Sequence, residues 1–552
     1  MIPVHVKGSS RSSFSLRLGA CFLLLILPLF FPHSPWKPEE TRVIGILIEH
    51  IYPDDVIKQA GLYANTFYFN IISKLFTLSH KHWSLEGISR SVSVAAMVLG
   101  AFALYGWALA IHKRYPVLIP KNITSAAPLL LASSVGLMVR GYQATPESIW
   151  FTGIAMSVWA GAETVRIKRI CLLIISFSWL WACNGVWGGL LALVCGGLIP
   201  WLFRWHNEAQ SNKDRIEGAV LTLLTLSIIF SFSFIKYSLY QQRISLDVTV
   251  TYLKEIARVL VWYALPIWPL LIAVWWRGRY LSGEFAKEWH CWRWEPVLQA
   301  LATLLIGIKV GGLDWQESHI MMYLPFLVMM ALPSLYLVDA RSWFNAVHWF
   351  TRSVLILMLL AVWGAVSALH WKMPYLVYNR LETFQPGFDP STISEVAWML
   401  SMILTGYALR YLIVPCKTLR DSLWRWTLGF GCTACVIRLM LVPYIDYGRS
   451  YRAVMLSLQA ALPKTSEVCV TVAPSVGYSQ AAMWRYYTQG LIANRSGCKW
   501  RLLQGRHEHL AKQDQYNIEK DLFFIWKEDA RASRPGDNHH EIFFLMHREP
   551  RH

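Results

Sequence analysis

Apolar runs of about twenty residues recur along the whole chain, separated by short polar stretches. They lie near 15–32, 90–112, 123–139, 147–164, 169–183, 187–203, 217–237, 255–276, 295–311, 319–338, 352–370, 393–414 and 425–444. Each is long enough to cross the hydrocarbon core of a bilayer as a helix, so the pattern predicts a polytopic α-helical membrane protein with about thirteen transmembrane helices. The fifth and sixth runs are divided by "CNGVWGG", where Asn184, Gly185, Gly188 and Gly189 interrupt a helical pattern and predict a tight reversal. Read as one long helix, the two runs would lower the count to twelve.

Basic residues test the count. With the N-terminus in the cytoplasm, the cytoplasmic ends hold Lys113 and Arg114; Arg166, Lys168 and Arg169; Lys213 and Arg215; Arg277, Arg279, Lys287 and Arg293; Arg341 and Arg352; and Lys417, Arg420 and Arg425. Most short external loops hold far fewer, as the positive-inside rule requires. Lys7, Arg11 and Arg17 precede the first run, and no small-x-small cleavage site follows it, so it reads as a retained helix. Thirteen spans place the C-terminus outside, in the periplasm of a cell whose inner membrane carries the chain.

Three external segments are long: 33–89, 371–392 and the tail after about 445. The first mixes aromatic and basic residues in "YANTFYFNIISKLFTLSHKHWS", a composition suited to helices lying in the membrane interface. The tail changes period. "EVCVTV", "WRLLQG", "LFFIWK" and "EIFFLMHR" read as strands and "YSQAAMWRYYTQGL" as a helix, giving a transmembrane unit over 1–445 and a small external α/β domain over 446–552. Cys469 and Cys498 lie in that tail. In an oxidising compartment they form a disulfide; in a cytosolic domain they stay thiols, and the external placement selects the disulfide. The other eight of the ten cysteines sit in or beside apolar runs, as small buried hydrophobes.

Composition agrees. Hydrophobic residues make up 55% of the 552, and only 16% are charged. The net charge of +18 raises nucleic acid as a partner, but the basic residues are scattered between apolar runs and set topology instead. There is no Walker-type phosphate loop, no Asp-x-Asp in a soluble nucleotide-sugar domain and no internal repeat.

Polar residues with chemical potential gather on the external side. Asp54 and Asp55 follow a proline in "HIYPDDVIKQAGLYAN", and Glu147 opens the fourth span. Asp314, Glu317 and His319 open the tenth, and Arg140 and Lys372 share that face. Acids and bases converging at one membrane face suit a polar substrate carried on a lipid.

Several of these stretches resemble glycosyltransferase family 39, the GT-C enzymes that include the bacterial aminoarabinose-transferase-like and protein O-mannosyltransferase-like proteins. "HIYPDDVIKQAGLYAN" resembles the family's acidic external loop, and "HWSLEGISRSVSVAA" fills the slot of its "G-x-S-x-x-x-x-R-x-P-S-A" phrase, with Arg90 at the arginine. "ATPESIWFTGIAMSVWAG" puts Glu147 at the acidic position of the fourth span. "ESHIMMYLPFLVMMALPSLY" resembles the "H-x-x-Y-x-L-P" span through His319, Tyr323 and Pro325. The tail resembles the external domain of one bacterial branch, which again implies the Cys469–Cys498 pairing. The chain departs from the family in "ANTFYF", which lacks a basic residue, and in Asn184-Gly185, where Lys-Gly is usual.

The resemblance implies transfer of a sugar from a polyprenyl-phosphate-linked donor to an acceptor, which is lipid A, an envelope glycan or a protein, with inversion at the anomeric carbon. It implies Asp54 as general base, Asp55 positioning the acceptor or a divalent metal, and Glu147 orienting the sugar or a basic residue. Lys372, Arg90, Arg140 and His319 are implied for the donor phosphate, with Tyr323 and Glu317 lining the substrate; the alternative readings are a membrane-edge anchor for Arg90 and a helix cap for His319. It implies no organic cofactor. The rival readings are a transporter or flippase of a lipid-linked sugar, and a glycan ligase. Acids at the ends of spans rather than inside them favour an enzyme over a carrier.

Overall fold

The computed structural model describes residues 33–36, 39–51, 66–79, 83–140, 143–207, 257–280, 282–311, 317–337, 341–385, 387–414, 419–463, 469–473, 475–488, 498–504, 524–533 and 542–550, and Val220, Thr222, Leu223 and Lys254 singly. The expected span at 15–32 and most of that at 217–237 lie outside them. Two helices precede the bundle, α1 (Glu39–Ile51) and α2 (Thr66–Ser79). The next three are α3 (Leu85–Arg114), α4 (Glu147–Ala162) and α5 (Arg166–Leu193). After α6 (Ile199–Asn207) come α7 (Ile267–Gly278), α8 (Trp294–Gly311) and α9 (Leu324–Ala331). The bundle closes with α10 (Arg341–Trp371), the short α11 (Tyr375–Phe384), α12 (Glu395–Ile413) and α13 (Leu419–Met440).

Packing contacts fix which ends lie together. Ser93 Oγ donates to the Thr145 carbonyl, Gly100 abuts Phe151, Gly106 abuts Trp159, and Lys113 pairs with Glu163. The residue numbers rise together, so α3 and α4 run parallel and Arg90 and Glu147 share one end. Small residues make the approach close: a Cβ at Gly100 or Gly106 would land in the Phe151 or Trp159 ring. Lys113, Lys168 and Glu163, with Arg114 3.6 Å from Glu295, occupy the opposite end.

The "CNGVWGG" segment is a reversal. Asn184 and Gly185 leave helical geometry, Gly185 at φ +55°. A Cβ on Gly188 would strike the Leu180 carbonyl, two turns earlier in sequence, which a straight helix places about 12 Å away. On the way out, Trp179 Nε1 donates to the Ile149 carbonyl. On the way back, Gly196 meets the Ser157 carbonyl and Arg204 donates to that of Gly161. Residues 166–205 are therefore an antiparallel hairpin, not a single pass; forty helical residues would extend about 60 Å, twice a hydrocarbon core.

Three expected spans are broken rather than continuous. The 255–276 run bends by 99° between Tyr263 and Ile267, where Pro266 ends the helix. The 123–139 run divides into Lys121–Thr124, Ala126–Ala132 and Val135–Arg140 around Pro128 and Ser133. The 319–338 run becomes a 3₁₀ segment Glu317–Tyr323, α9 and a turn of helix at Ser334–Leu337, divided at Pro325 and Pro333. Among the described residues, three segments are long and apolar enough to cross a membrane, the 166–205 hairpin counted as one of them, or five if each sharply bent pair is one span.

After a 59° bend at Pro443, α14 (Val442–Arg449) and α15 (Arg452–Ala460) lead into the tail. The tail holds α16 (Tyr478–Thr488) and four strands, β1 (Val470–Val472), β2 (Trp500–Gln504), β3 (Phe524–Ser533) and β4 (Ile542–Pro550), in the order β1-β2-β4-β3. The β1–β2 pair is parallel and joined through α16; the other pairs are antiparallel. Cys469 and Cys498 are bonded, closing the loop that contains α16.

Because the Gly188 contact is to backbone, Gly188→Ala should lower the melting temperature in detergent by an amount matching about 1–3 kcal/mol of overpacking. Gly364→Ala on α10 has open space around it and should be neutral or slightly stabilising. Equal melting temperatures for the two variants would contradict the hairpin.

Candidate functional site at the Arg90 end

The sequence "HSPWKPEETR" decides the site's architecture. A short strap, His33–Trp36, leaves the apolar N-terminal run and enters α1 through a proline and two acids. Glu40 is fully buried in α1. Its Oε1 accepts from Arg90 Nε at 3.2 Å and from the Ala144 amide at 3.1 Å. Its Oε2 accepts from the Trp36 amide at 3.1 Å and from Arg90 Nη2 at 3.4 Å. One carboxylate thus joins the strap, α1, α3 and the loop that leads into Glu147.

A second carboxylate closes the strap from the other side. Asp446 of α14 accepts from the Ser34 amide and hydroxyl, each at 3.1 Å, and from Trp36 Nε1 at 3.0 Å. His33 stacks on Trp36 with ring centroids 4.1 Å apart. Its Nδ1 lies 2.7 Å from the Ser34 carbonyl, 3.1 Å from Arg90 Nη2 and 3.7 Å from Glu40 Oε2. Arg438, buried on α13, feels the charges of both Glu40 and Arg90.

Burial sets the protonation states. Desolvation alone would raise the Glu40 carboxyl, but the charges of Arg90 and His33 and the hydrogen bonds it accepts outweigh this and hold it at about 2. Desolvation, helped by Arg90 and Arg438 and opposed by Glu40, lowers His33 from 6.5 to about 4, so its imidazole is neutral at pH 7.

The tail domain is clamped onto this end. Gly45 of α1 lets Ala482 and the Tyr478 ring of α16 approach within Cβ contact. Tyr486 of α16 donates to Glu86, in the first turn of α3, and burial with that acid pushes the Tyr486 phenol up.

The residues nominated from sequence fall into four groups. Glu147 is buried at the first position of α4, and its charge reaches Tyr68, whose hydroxyl lies 3.3 Å from Ser93 Oγ. Arg90 is present at the same end with its guanidinium engaged by Glu40, so its charge is largely balanced inside the protein. Lys372 is exposed, with φ +57°, at the end of α10 and 5.7 Å from the Tyr378 ring. Arg140 ends the helix leading to this loop, and Glu317 and His319 lie in the 3₁₀ segment, their side chains outside the described residues. Tyr323 is buried. Asp54 and Asp55 lie outside the described residues, as does Asp314. Among the described residues, no group of three or more His, Cys, Asp and Glu side chains stands ready to hold a metal.

Sequence reasoning missed Glu40, His33, Arg438 and Asp446. The signal for Glu40 was available: an acid pair directly after a proline, a few residues beyond the first apolar run and fifteen residues ahead of the pair at 54. Asp446 and Arg438 carried none, because nothing local marks a residue whose partner is some four hundred positions away.

No protein-family model matches the sequence, and no curated protein matches it. Solved structures do. ArnT from Cupriavidus metallidurans bound to undecaprenyl phosphate superposes with a TM-score of 0.58 at 12% identity, over 97% of this chain and 98% of that one. The apo state of the same protein gives 0.58 at 13% identity over the same shares. An Archaeoglobus fulgidus oligosaccharyltransferase tethered to an acceptor peptide aligns with a TM-score of 0.34 at 9% identity, over 94% of this chain and 69% of that one.

Two outcomes test the site. Glu40→Gln leaves Arg90 buried beside a neutral amide and should cost about 3–5 kcal/mol of stability, while Glu40→Leu combined with Arg90→Met should recover much of that loss. Losses that simply add would show that the pair is not coupled. The pH dependence follows from His33. The unfolded chain takes up a proton as pH falls through 6.5 and the folded chain does not until about 4, so stability drops across that window. Thermal unfolding in detergent should show the wild type losing about 1.5 kcal/mol more than His33→Gln between pH 6.5 and 5. Parallel pH profiles would remove His33 from this role.

Proposed function

We propose that this chain, which has the GT-C glycosyltransferase fold, transfers a sugar from a polyprenyl-phosphate-linked donor to an acceptor at the external face of the inner membrane. What carries the reading is the pairing of that fold, matched along nearly the whole chain, with a buried charged constellation at the end where Arg90 and Glu147 meet. The ArnT structure holds undecaprenyl phosphate, which supports a polyprenyl phosphate as the donor's carrier.

The chemistry is one displacement. An acceptor hydroxyl attacks the anomeric carbon as the bond from that carbon to the phosphate oxygen breaks, so the configuration inverts and polyprenyl phosphate departs with the bonding pair. A carboxylate takes the hydroxyl proton. Glu40 is a poor base at neutral pH, since its carboxyl is held at about 2 and both oxygens already accept hydrogen bonds. It acts as a positioning residue. We assign the base to Asp54, with Asp55 placing the acceptor or a divalent metal and Glu147 orienting the sugar. Charge for the departing phosphate comes from Lys372, Arg140 and His319, joined by Arg438; Arg90 serves mainly to hold Glu40. Tyr323 and Glu317 line the substrate.

Radiolabelled polyprenyl-phosphate sugar in proteoliposomes with an envelope extract tests this. Label should move to an acceptor, and Asp54→Asn should reduce the transfer by about 10²–10⁴ without moving the melting temperature. Label that crosses the bilayer still attached to its lipid would establish a transporter. Transfer only of a preassembled glycan would establish a ligase, and undiminished transfer by Asp54→Asn would move the base elsewhere.

A further inference from the structure

The connection between α10 and α12 carries a helix that the core does not use. None of the ten residues of α11 is buried. Leu376, Arg380 and Phe384 are spaced four apart and form one stripe, with Val377 beside it. Leu376 is 80% exposed and Phe384 62%. Tyr378 and Glu382 lie on the other side of the helix, hydrogen-bonded to each other. Trp371 and Met373, just before the helix, are as exposed as Phe384. So many large apolar side chains on one short stretch mark an interaction surface.

The surroundings select lipid as the partner. α11 joins two helices that present exposed apolar residues, Leu357 and Leu360 on α10 and Val396 and Met399 on α12, as helices facing acyl chains do. Trp398 of α12 lies against Trp371 and His370, with ring centroids 5.9 and 4.9 Å away, an aromatic group of the kind that sits at headgroup level. Four residues carry the chain from Trp371 to Tyr375, about 14 Å at most, so α11 begins near that level. Arg380 interrupts an otherwise apolar stripe. On a helix lying in the interface its stem runs along acyl chains while its guanidinium reaches lipid phosphates.

The far end of the helix is tied inward. Tyr444 Oη donates to the Leu381 carbonyl at 2.8 Å, and Gln385 packs against Gly448. Phe388, just beyond the helix, meets the Tyr444 and Tyr447 rings edge-on, with centroids 5.3 and 5.8 Å apart. Tyr444, Tyr447 and Gly448 all belong to α14, whose Asp446 holds Ser34 and Trp36. We propose that α11 is seated in the headgroup and acyl boundary of the leaflet at the Glu40 end, and that through α14 this seating holds the His33–Trp36 strap. The proposal is independent of the transfer reaction and stands whether or not that reading holds.

Photocrosslinking tests the seating. The benzophenone amino acid p-benzoylphenylalanine is placed singly at Leu376, Phe384 or Glu382 of the full chain, in liposomes of phosphatidylethanolamine and phosphatidylglycerol. Irradiation should attach phospholipid at Leu376 and Phe384 and not at Glu382, read by mass spectrometry of the peptides. Attachment to a second copy of the chain, to lipid at all three positions alike, or to nothing overturns the seating. Hydrogen exchange in the same liposomes tests the link. The amides of Ser34 and Trp36 are held by Asp446 and Glu40, so the strap peptide reports on α14. Leu376→Glu with Phe384→Glu should speed exchange of that peptide about tenfold and leave peptides of the 166–205 hairpin unchanged. Unchanged exchange in the strap, or faster exchange everywhere, overturns the coupling. Should the double variant not fold, Tyr444→Phe cuts the tie to Leu381 and leaves the apolar stripe intact; it should speed the same peptide, and unchanged exchange there overturns the coupling as well.

Discussion

A fully buried carboxylate with four hydrogen bonds from three other segments is the constraint around which this end of the molecule is built. Glu40 is expensive to bury alone, and Arg90 is equally so. Together they are tolerable only if every oxygen is satisfied, and the amides of Trp36 and Ala144 complete the set. Those two amides belong to the strap before α1 and the loop before α4, so satisfying the charge fixes two otherwise irregular segments at once. Asp446 repeats the device from the far side, holding Ser34 and Trp36. The strap is therefore held between two carboxylates from opposite ends of the sequence. An irregular backbone at the edge of a membrane needs such partners, because the bilayer supplies none.

The helices beneath follow from a different economy. Without a hydrophobic drive between spans, close packing needs small residues where backbones meet. Gly100 and Gly106 let α3 lie against α4, and Gly188 lets the α5 hairpin fold on itself. That hairpin preserves the alternation of ends. Had residues 166–205 crossed once, every later element would have changed sides, and Arg438 would stand with Lys113 rather than with Glu40. The electrostatic contact of Arg438 with Glu40 and Arg90 thus depends on a reversal at Asn184 and Gly185, some 250 residues earlier.

What the sequence made legible follows from this division. Apolar helices and the reversal at "CNGVWGG" were readable because hydropathy and helix-breaking residues are local signals. So were the strands, the helix and the disulfide of the tail. Continuity was harder. Pro128, Pro266, Pro325 and Pro333 broke runs that hydropathy alone joins, since a window of apolar residues averages over one proline. Glu147 and Arg90, nominated from a resemblance in order and spacing, lie at one end of the bundle. Arg90's partner was not found. The burial that distinguishes Glu40 is a property of tertiary structure, which no local pattern in the sequence carries.

The tail's position bears on how such a site works. α16 does not pack on the bundle at random: Gly45 admits it to α1, the helix carrying Glu40, and Tyr486 reaches the first turn of α3, the helix carrying Arg90. The domain thus touches both members of the buried pair through their helices, not through the pair itself. The disulfide brackets α16 between β1 and β2, so the clamp is covalently closed. A polar centre at a membrane edge faces water penetration from above, which weakens every charge interaction inside it. Covering it with a small, cross-linked domain keeps Glu40 and Arg90 dry, and a dry pair holds its geometry with the strength that the irregular strap requires.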